Sequence, residues 1–70
     1  MSEFVHNGKT WPEEGSRWKL QGHPGITFEV RAYRDGLVAL FDVARNDNAS
    51  EVYVLWQDPE QREQWEPADA

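Results

Sequence analysis

The stretch Ile26-Thr27-Phe28-Glu29-Val30-Arg31-Ala32-Tyr33-Arg34-Asp35-Gly36-Leu37-Val38-Ala39-Leu40-Phe41-Asp42-Val43-Ala44 decides the fold. In its first half Ile26, Phe28, Val30 and Ala32 fall on one side of an extended chain. Thr27, Glu29, Arg31 and Tyr33 fall on the other, so Tyr33 is expected to face outward. Asp35-Gly36 then interrupts the run with two residues that accept positive φ, and apolar residues return from Leu37 to Ala44, the pattern of a β-hairpin. Ser50 to Trp56 resumes the alternation, with Val52, Val54 and Trp56 on one face and Glu51, Tyr53 and Leu55 on the other. Three consecutive strands at this spacing predict an antiparallel meander and an all-β chain.

Two registers of the central hairpin stay open. A two-residue Asp35-Gly36 loop pairs Val30 with Phe41, buries Ala39, Phe41 and Val43, and sets Glu29 against Asp42, where like charges repel. A three-residue loop with Gly36 left-handed pairs Val30 with Leu40, buries Val38 and Leu40, and leaves Phe41 on the outer face.

Working outward, Ser16 to Leu20 predicts a preceding strand, with Trp18 and Leu20 on one face and Arg17 and Lys19 on the other. Gln21-Gly22-His23-Pro24-Gly25 is expected to form the loop after it. Near the start, Asn7-Gly8 is a type I′ turn signal that places Phe4 opposite Trp11 in a short hairpin, the alternative being a frayed end. Pro12 to Gly15 breaks the chain after it. Arg45 to Ala49 predicts a polar loop tip. Asp58, Pro59 and Gln61 mark a helix start, as N-cap, first helical residue and capping-box partner, and Pro67 limits the helix to a turn or two. Trp65 is expected to fold back on the end of the sheet, and Asp69-Ala70 to form a disordered tail.

Seventy residues without cysteine make a thin core with no disulfide, so Trp11, Trp18, Trp56 and Trp65 take on much of the packing. The net charge of −6 is concentrated late: Glu51, Asp58, Glu60, Glu63, Glu66 and Asp69 face the single base Arg62, whereas residues 16–50 hold five bases against four acids. Broad phosphate binding is disfavoured by that balance, and an acidic face that meets a basic partner stays open. No basic and apolar leader and no apolar run of about 20 residues occurs, which predicts a soluble, cytoplasmic protein.

The Gly15-Ser16-Arg17-Trp18 opening, the Phe28-x-Val30 strand, the Gly36-x-Val38-x-Leu40 return, a further strand and a short turn ending in Trp65-Glu66-Pro67 together resemble small SH3-like barrels of the Tudor and KOW kind. Compact versions are often encoded by phages and mobile elements. The resemblance covers about Gly15 to Ala68. It implies a five-stranded antiparallel SH3-like barrel over residues 15–68, with an N-terminal hairpin or arm over 1–14, a short C-terminal helical turn, and the register that buries Val38 and Leu40. It also implies binding of proteins, peptides or nucleic acids at one open face. Where such domains cage methylated side chains with aromatics, Tyr33, Tyr53 and either Phe41 or Trp18 are the residues here that match.

Catalysis finds no support: His6 and His23 lie in turn-rich segments, and no nucleophile, base and orienting group come together. The two histidines lack the short spacing of a metal pair, and no glycine-rich loop opens a helix, so no cofactor is expected. Two surfaces carry the functional expectations. Tyr33, Phe41, Tyr53 and Leu55 form an outer apolar patch suited to a protein partner or a second copy, unless the N-terminal hairpin covers it with Phe4 and Trp11. Arg17, Lys19, Arg31 and Arg34 form a candidate anion or nucleic-acid platform, disfavoured by the surrounding acids. The expected function is a non-catalytic protein-interaction module, with an acidic phosphate-mimicking inhibitor of a nucleic-acid enzyme as the alternative and weak nucleic-acid binding third.

Overall fold

A computed structural model of the chain describes residues 3–45 and 51–68. The expected loop tip beyond Arg45, the first residue of the Ser50 to Trp56 run and the tail at Asp69-Ala70 lie outside them. In chain order the elements are β1 (Glu3–His6), β2 (Lys9–Pro12), β3 (Arg17–Leu20), β4 (His23–Arg34), β5 (Leu37–Asp42), β6 (Glu51–Val54), α1 (Pro59–Glu63) and β7 (Trp65–Pro67). The described residues are thus all-β with one short helix. β1 and β2 form a two-stranded sheet, and the other strands form a five-stranded antiparallel sheet in the order β6-β5-β4-β3-β7.

Among the described residues the expected barrel does not close, because the hydrogen-bonded ladder ends at β6 and β7 and these two edges do not pair. β6 has four residues and β7 three, and the chain between them is spent on α1. The last strand nonetheless returns beside the first of the sheet, with Leu20 opposite Trp65 and Trp18 opposite Pro67.

The central hairpin combines features of both registers. Asp35 (φ 50°) and Gly36 (φ 80°) form a two-residue turn with both residues left-handed, and Arg34 pairs with Leu37. Yet Val30 pairs with Leu40, because β4 spends three residues, Val30 to Ala32, where β5 spends two, Leu40 and Ala39. This bulge offsets the alternation by one residue. Val38 and Leu40 are therefore fully buried, Glu29 stands opposite Phe41 instead of Asp42, and the like-charge contact is avoided.

The bulge also corrects two expected orientations. Ala32 shares the outer face with Ala39 and Tyr53, and Tyr33 is turned to the inner side, opposite Val38. The β3–β4 connection differs as well. Only Gln21 and Gly22 (φ 90°) form the turn, and His23, Pro24 and Gly25 already belong to β4. Between the pairs Leu20–His23 and Trp18–Phe28, β3 advances two residues and β4 five. An irregularity of that size accommodates a proline without an N–H to offer.

Trp18, Phe28, Val30, Val38, Leu40, Val54, Trp56 and Trp65 form the core, with Trp11, Leu20, Ile26 and Val52 packed against it. The rings meet edge to face: Trp18 on Trp56 at 4.9 Å and 80°, Phe28 on Trp65 at 5.1 Å and 83°. Each such ring buries roughly 150–250 Å², so few residues enclose the interior. Helix α1 starts as its sequence predicts. Asp58 caps it by accepting from the Glu60 N–H at 3.1 Å, and Pro59 takes the first turn. Gln61 donates to Asp58 at 3.2 Å, but its own oxygen accepts from the Leu55 N–H at 2.9 Å instead of closing a capping box.

Candidate functional site

The Asn7-Gly8 turn forms as its residues predict, with φ of 53° and 75°, and pairs Phe4 with Trp11 and His6 with Lys9. The two-residue period then places Phe4, His6 and Trp11 on one face of the hairpin. Tyr33, turned inward by the bulge, meets that face. Its ring centroid lies 6.3 Å from Phe4 and 6.0 Å from Trp11, with interplanar angles of 88° and 84°. Its hydroxyl donates to the Pro12 carbonyl at 2.5 Å. Phe4, His6, Trp11 and Tyr33 thereby line an open concavity of about 250 Å³. Phe4 and Tyr33 each keep 39% of their surface exposed, so two of its rings remain accessible.

The acidic turn after β2 is fixed against the same strand. Glu13's carbonyl accepts from the Ser16 N–H at 3.1 Å and the Ser16 hydroxyl at 2.5 Å, the Gly15 N–H donates to the Val30 carbonyl at 2.9 Å, and the Val30 N–H donates to the Ser16 carbonyl at 3.0 Å. These bonds hold Glu13 and Glu14 near Tyr33. Burial pushes the Tyr33 phenol above its ordinary value, and the charges of Glu14 and Glu13 push it the same way.

A clasp holds the hairpin to the main sheet. Arg62 of α1 donates from Nη2 to Glu3 Oε1 at 2.9 Å and from Nε to Glu3 Oε2 at 3.1 Å, while Nη1 donates to the Trp65 carbonyl at 2.9 Å. The Trp56 indole N–H adds a bond to Glu3 at 3.0 Å. The guanidinium lies 5.1 Å from the Trp18 ring centre and 4.9 Å from that of Trp56. Burial alone would raise the Glu3 carboxyl, but the hydrogen bonds from Arg62 and Trp56 and the Arg62 charge outweigh it and hold the group below its ordinary value. Gln57 adds a bond from its side-chain amide to the Thr10 carbonyl at 2.6 Å.

The expected outer patch is divided. Tyr33 belongs to the hairpin concavity, and Phe41 is half-buried beneath the Arg31 guanidinium at 5.3 Å. Tyr53 and Leu55 stay exposed, at 42% and 40%. Tyr53 accepts from Arg34 at 3.4 Å, and a hydrogen bond to Glu51 raises its phenol above the ordinary value. The N-terminal hairpin packs its aromatic face on Tyr33 rather than across Tyr53 and Leu55.

The expected basic platform does not assemble as a cationic surface. Arg31 at 2.7 Å and Arg17 at 3.8 Å converge on the Glu29 carboxylate, Lys19 stands opposite Glu66, and Arg34 sits at the far end of β4 beside Tyr53. His6 lines the aromatic concavity and His23 opens β4. Among the described residues no group of three or more His, Cys, Asp or Glu is placed to hold a metal ion, and no helix is long and apolar enough to cross a membrane.

Sequence reasoning missed Phe4, His6 and Trp11 as site residues, although the Asn-Gly turn already set Phe4 against Trp11. It missed the Glu3–Arg62 clasp too, for which the only signal was a lone base in an acidic third of the chain. Compared with protein-family models, curated proteins and solved structures, the chain matches none.

Proposed function

We propose that this chain is a non-catalytic protein-interaction module with an SH3-like strand arrangement, and that it docks a segment of a partner protein in the concavity of Phe4, His6, Trp11 and Tyr33. The SH3-like reading rests on the strand order, in which β7 returns beside β3 after a short helix. The docking reading rests on one observation: three aromatic side chains from separate strands converge on an open hollow, with Phe4 and Tyr33 still accessible. A small protein that leaves such rings partly uncovered gains from a partner that covers them. The concavity is smaller than the roughly 300–1,000 Å³ of small-molecule sites and is suited to a side chain presented by a peptide.

Selection of a displayed random-peptide library on the protein tests this. Peptides are expected to enrich on the wild type and to lose binding to a Tyr33→Leu variant whose amide spectrum remains dispersed. Failure to enrich any sequence, or equal capture by both proteins, overturns the proposal.

A second reading has its own support. Glu60 and Glu63 on α1 and Glu66 on β7 are all exposed, and Arg62 between them is turned to Glu3. That carboxylate row suits an inhibitor that imitates nucleic-acid phosphates for a basic enzyme. Such binding weakens steeply as salt rises, and an affinity for a basic target that is unchanged between about 0.05 and 0.5 M salt counts against it.

A further inference from the structure

We infer that the guest of the hairpin concavity is an arginine side chain from a basic peptide segment, its guanidinium lying against the Trp11, Phe4 and Tyr33 rings and facing the Glu13–Glu14 turn. This rests on the reading of the concavity as a docking site and adds the chemistry of what docks.

Phe4 and Trp11 both stand nearly perpendicular to Tyr33, at 88° and 84°, and all three rings line the hollow. Aromatic faces carry negative potential, and a cation gains more from them than a neutral apolar group of equal size.

The charges around the hollow are graded along the hairpin. His6 and Lys9 flank the Asn7-Gly8 turn at one end, while at the other Glu13 and Glu14 come directly after Pro12, whose carbonyl accepts from the Tyr33 hydroxyl at 2.5 Å. A cationic guest is therefore drawn to the acidic end. The net charge of −6 favours the same class of partner.

The protein itself displays how it accommodates a guanidinium. Arg62 lies 5.1 and 4.9 Å from the centres of two tryptophan rings and is forked to a carboxylate at 2.9 and 3.1 Å. The hairpin concavity offers the aromatic part of that arrangement on an accessible surface, and the acidic Glu13–Glu14 turn follows directly from Pro12, whose carbonyl accepts from the Tyr33 hydroxyl. Arginine is preferred to lysine because its planar, weakly hydrated head stacks on rings and pairs with carboxylates at once, whereas an ammonium surrenders a tighter hydration shell.

Titration of the labelled full chain with blocked pentapeptides that differ only in a central arginine, citrulline or lysine tests the assignment by NMR. The arginine peptide is expected to shift the Trp11 indole and the Phe4 and Tyr33 ring signals saturably. Citrulline, which has nearly the same shape and no charge, should bind about tenfold more weakly, with lysine between them. Trp11→Leu and Phe4→Ala should each weaken the arginine peptide by about three- to tenfold while the Trp18 and Trp56 indole signals stay in place. Equal binding of arginine and citrulline, or arginine-induced shifts confined to Glu60, Glu63 and Glu66, overturns this inference. If library peptides lacking arginine bind in a Tyr33-dependent way, the docking reading survives and the guest assignment fails. If no peptide of any kind binds, both fail.

Discussion

Glu3 and Arg62 form the contact on which the hairpin's position most depends, because the pair draws in Trp56, Trp18 and the Trp65 carbonyl as well. The Glu3 carboxyl titrates lower in the folded protein than its reference value of 4.5. Its contribution to stability is therefore complete above the unfolded value and is lost as pH falls through the folded one. Thermal melts from pH 7 down to pH 3 should show Glu3→Gln losing stability at neutral pH, and the gap to wild type should narrow as the wild-type carboxyl takes up its proton. A constant gap across that range would mean the pair is not ionic in effect. Arg62→Lys keeps the charge but loses the fork and the planar stacking. It should cost about 1–3 kcal/mol, a fall in Tm of roughly 7–20 °C for a domain this small.

At the scale of elements, the two hairpin turns were the most legible part of the fold. Asn7-Gly8 and Asp35-Gly36 each supply two residues that tolerate positive φ, and each forms the two-residue turn that chemistry demands. Gly36→Ala at φ 80° should cost about 1–2 kcal/mol in urea unfolding. Gly25→Ala is the control, because its φ is ordinary and an added Cβ meets nothing within 4 Å. There the change should lie between zero and a gain of about 1 kcal/mol. A bulge leaves no such signature: a strict alternation of Val30, Arg31, Ala32 and Tyr33 hides an extra residue in the ladder, and only pairing with β5 reveals it. The same blindness concealed the site. Phe4 opposite Trp11 follows from the turn, but Tyr33 joins them only because the bulge reverses its side. Trp65-Glu66-Pro67 was equally opaque as a strand, since three residues show no periodicity and its pairing with β3 is entirely non-local.

Across the whole molecule, stability rests on a few large rings. A 70-residue domain commands a net stability of only roughly 4–10 kcal/mol, and truncating a buried tryptophan costs about 3–5. Trp56 touches the Trp18 ring, the Arg62 guanidinium and the Glu3 carboxylate together, so Trp56→Ala should leave a substantial unfolded population at 37 °C by circular dichroism. Tyr53→Ala, on the exposed outer face, should change unfolding free energy by less than about 1 kcal/mol and leave arginine-peptide binding intact. Loss of binding in that variant would transfer the docking surface to the outer sheet.

The unjoined margins at β6 and β7 expose the chain to a hazard that a sealed cylinder escapes, since an unsatisfied strand rim can template the addition of another molecule. Brevity, the pyrrolidine ring of Pro67 and the negative side chains of Glu51 and Glu66 guard those rims. The electrostatic part of that guard fades near the isoelectric point of about 4.7. Turbidity of concentrated samples should accordingly peak there and subside on either side, and a flat profile would show that shortness and proline alone keep neighbouring molecules apart.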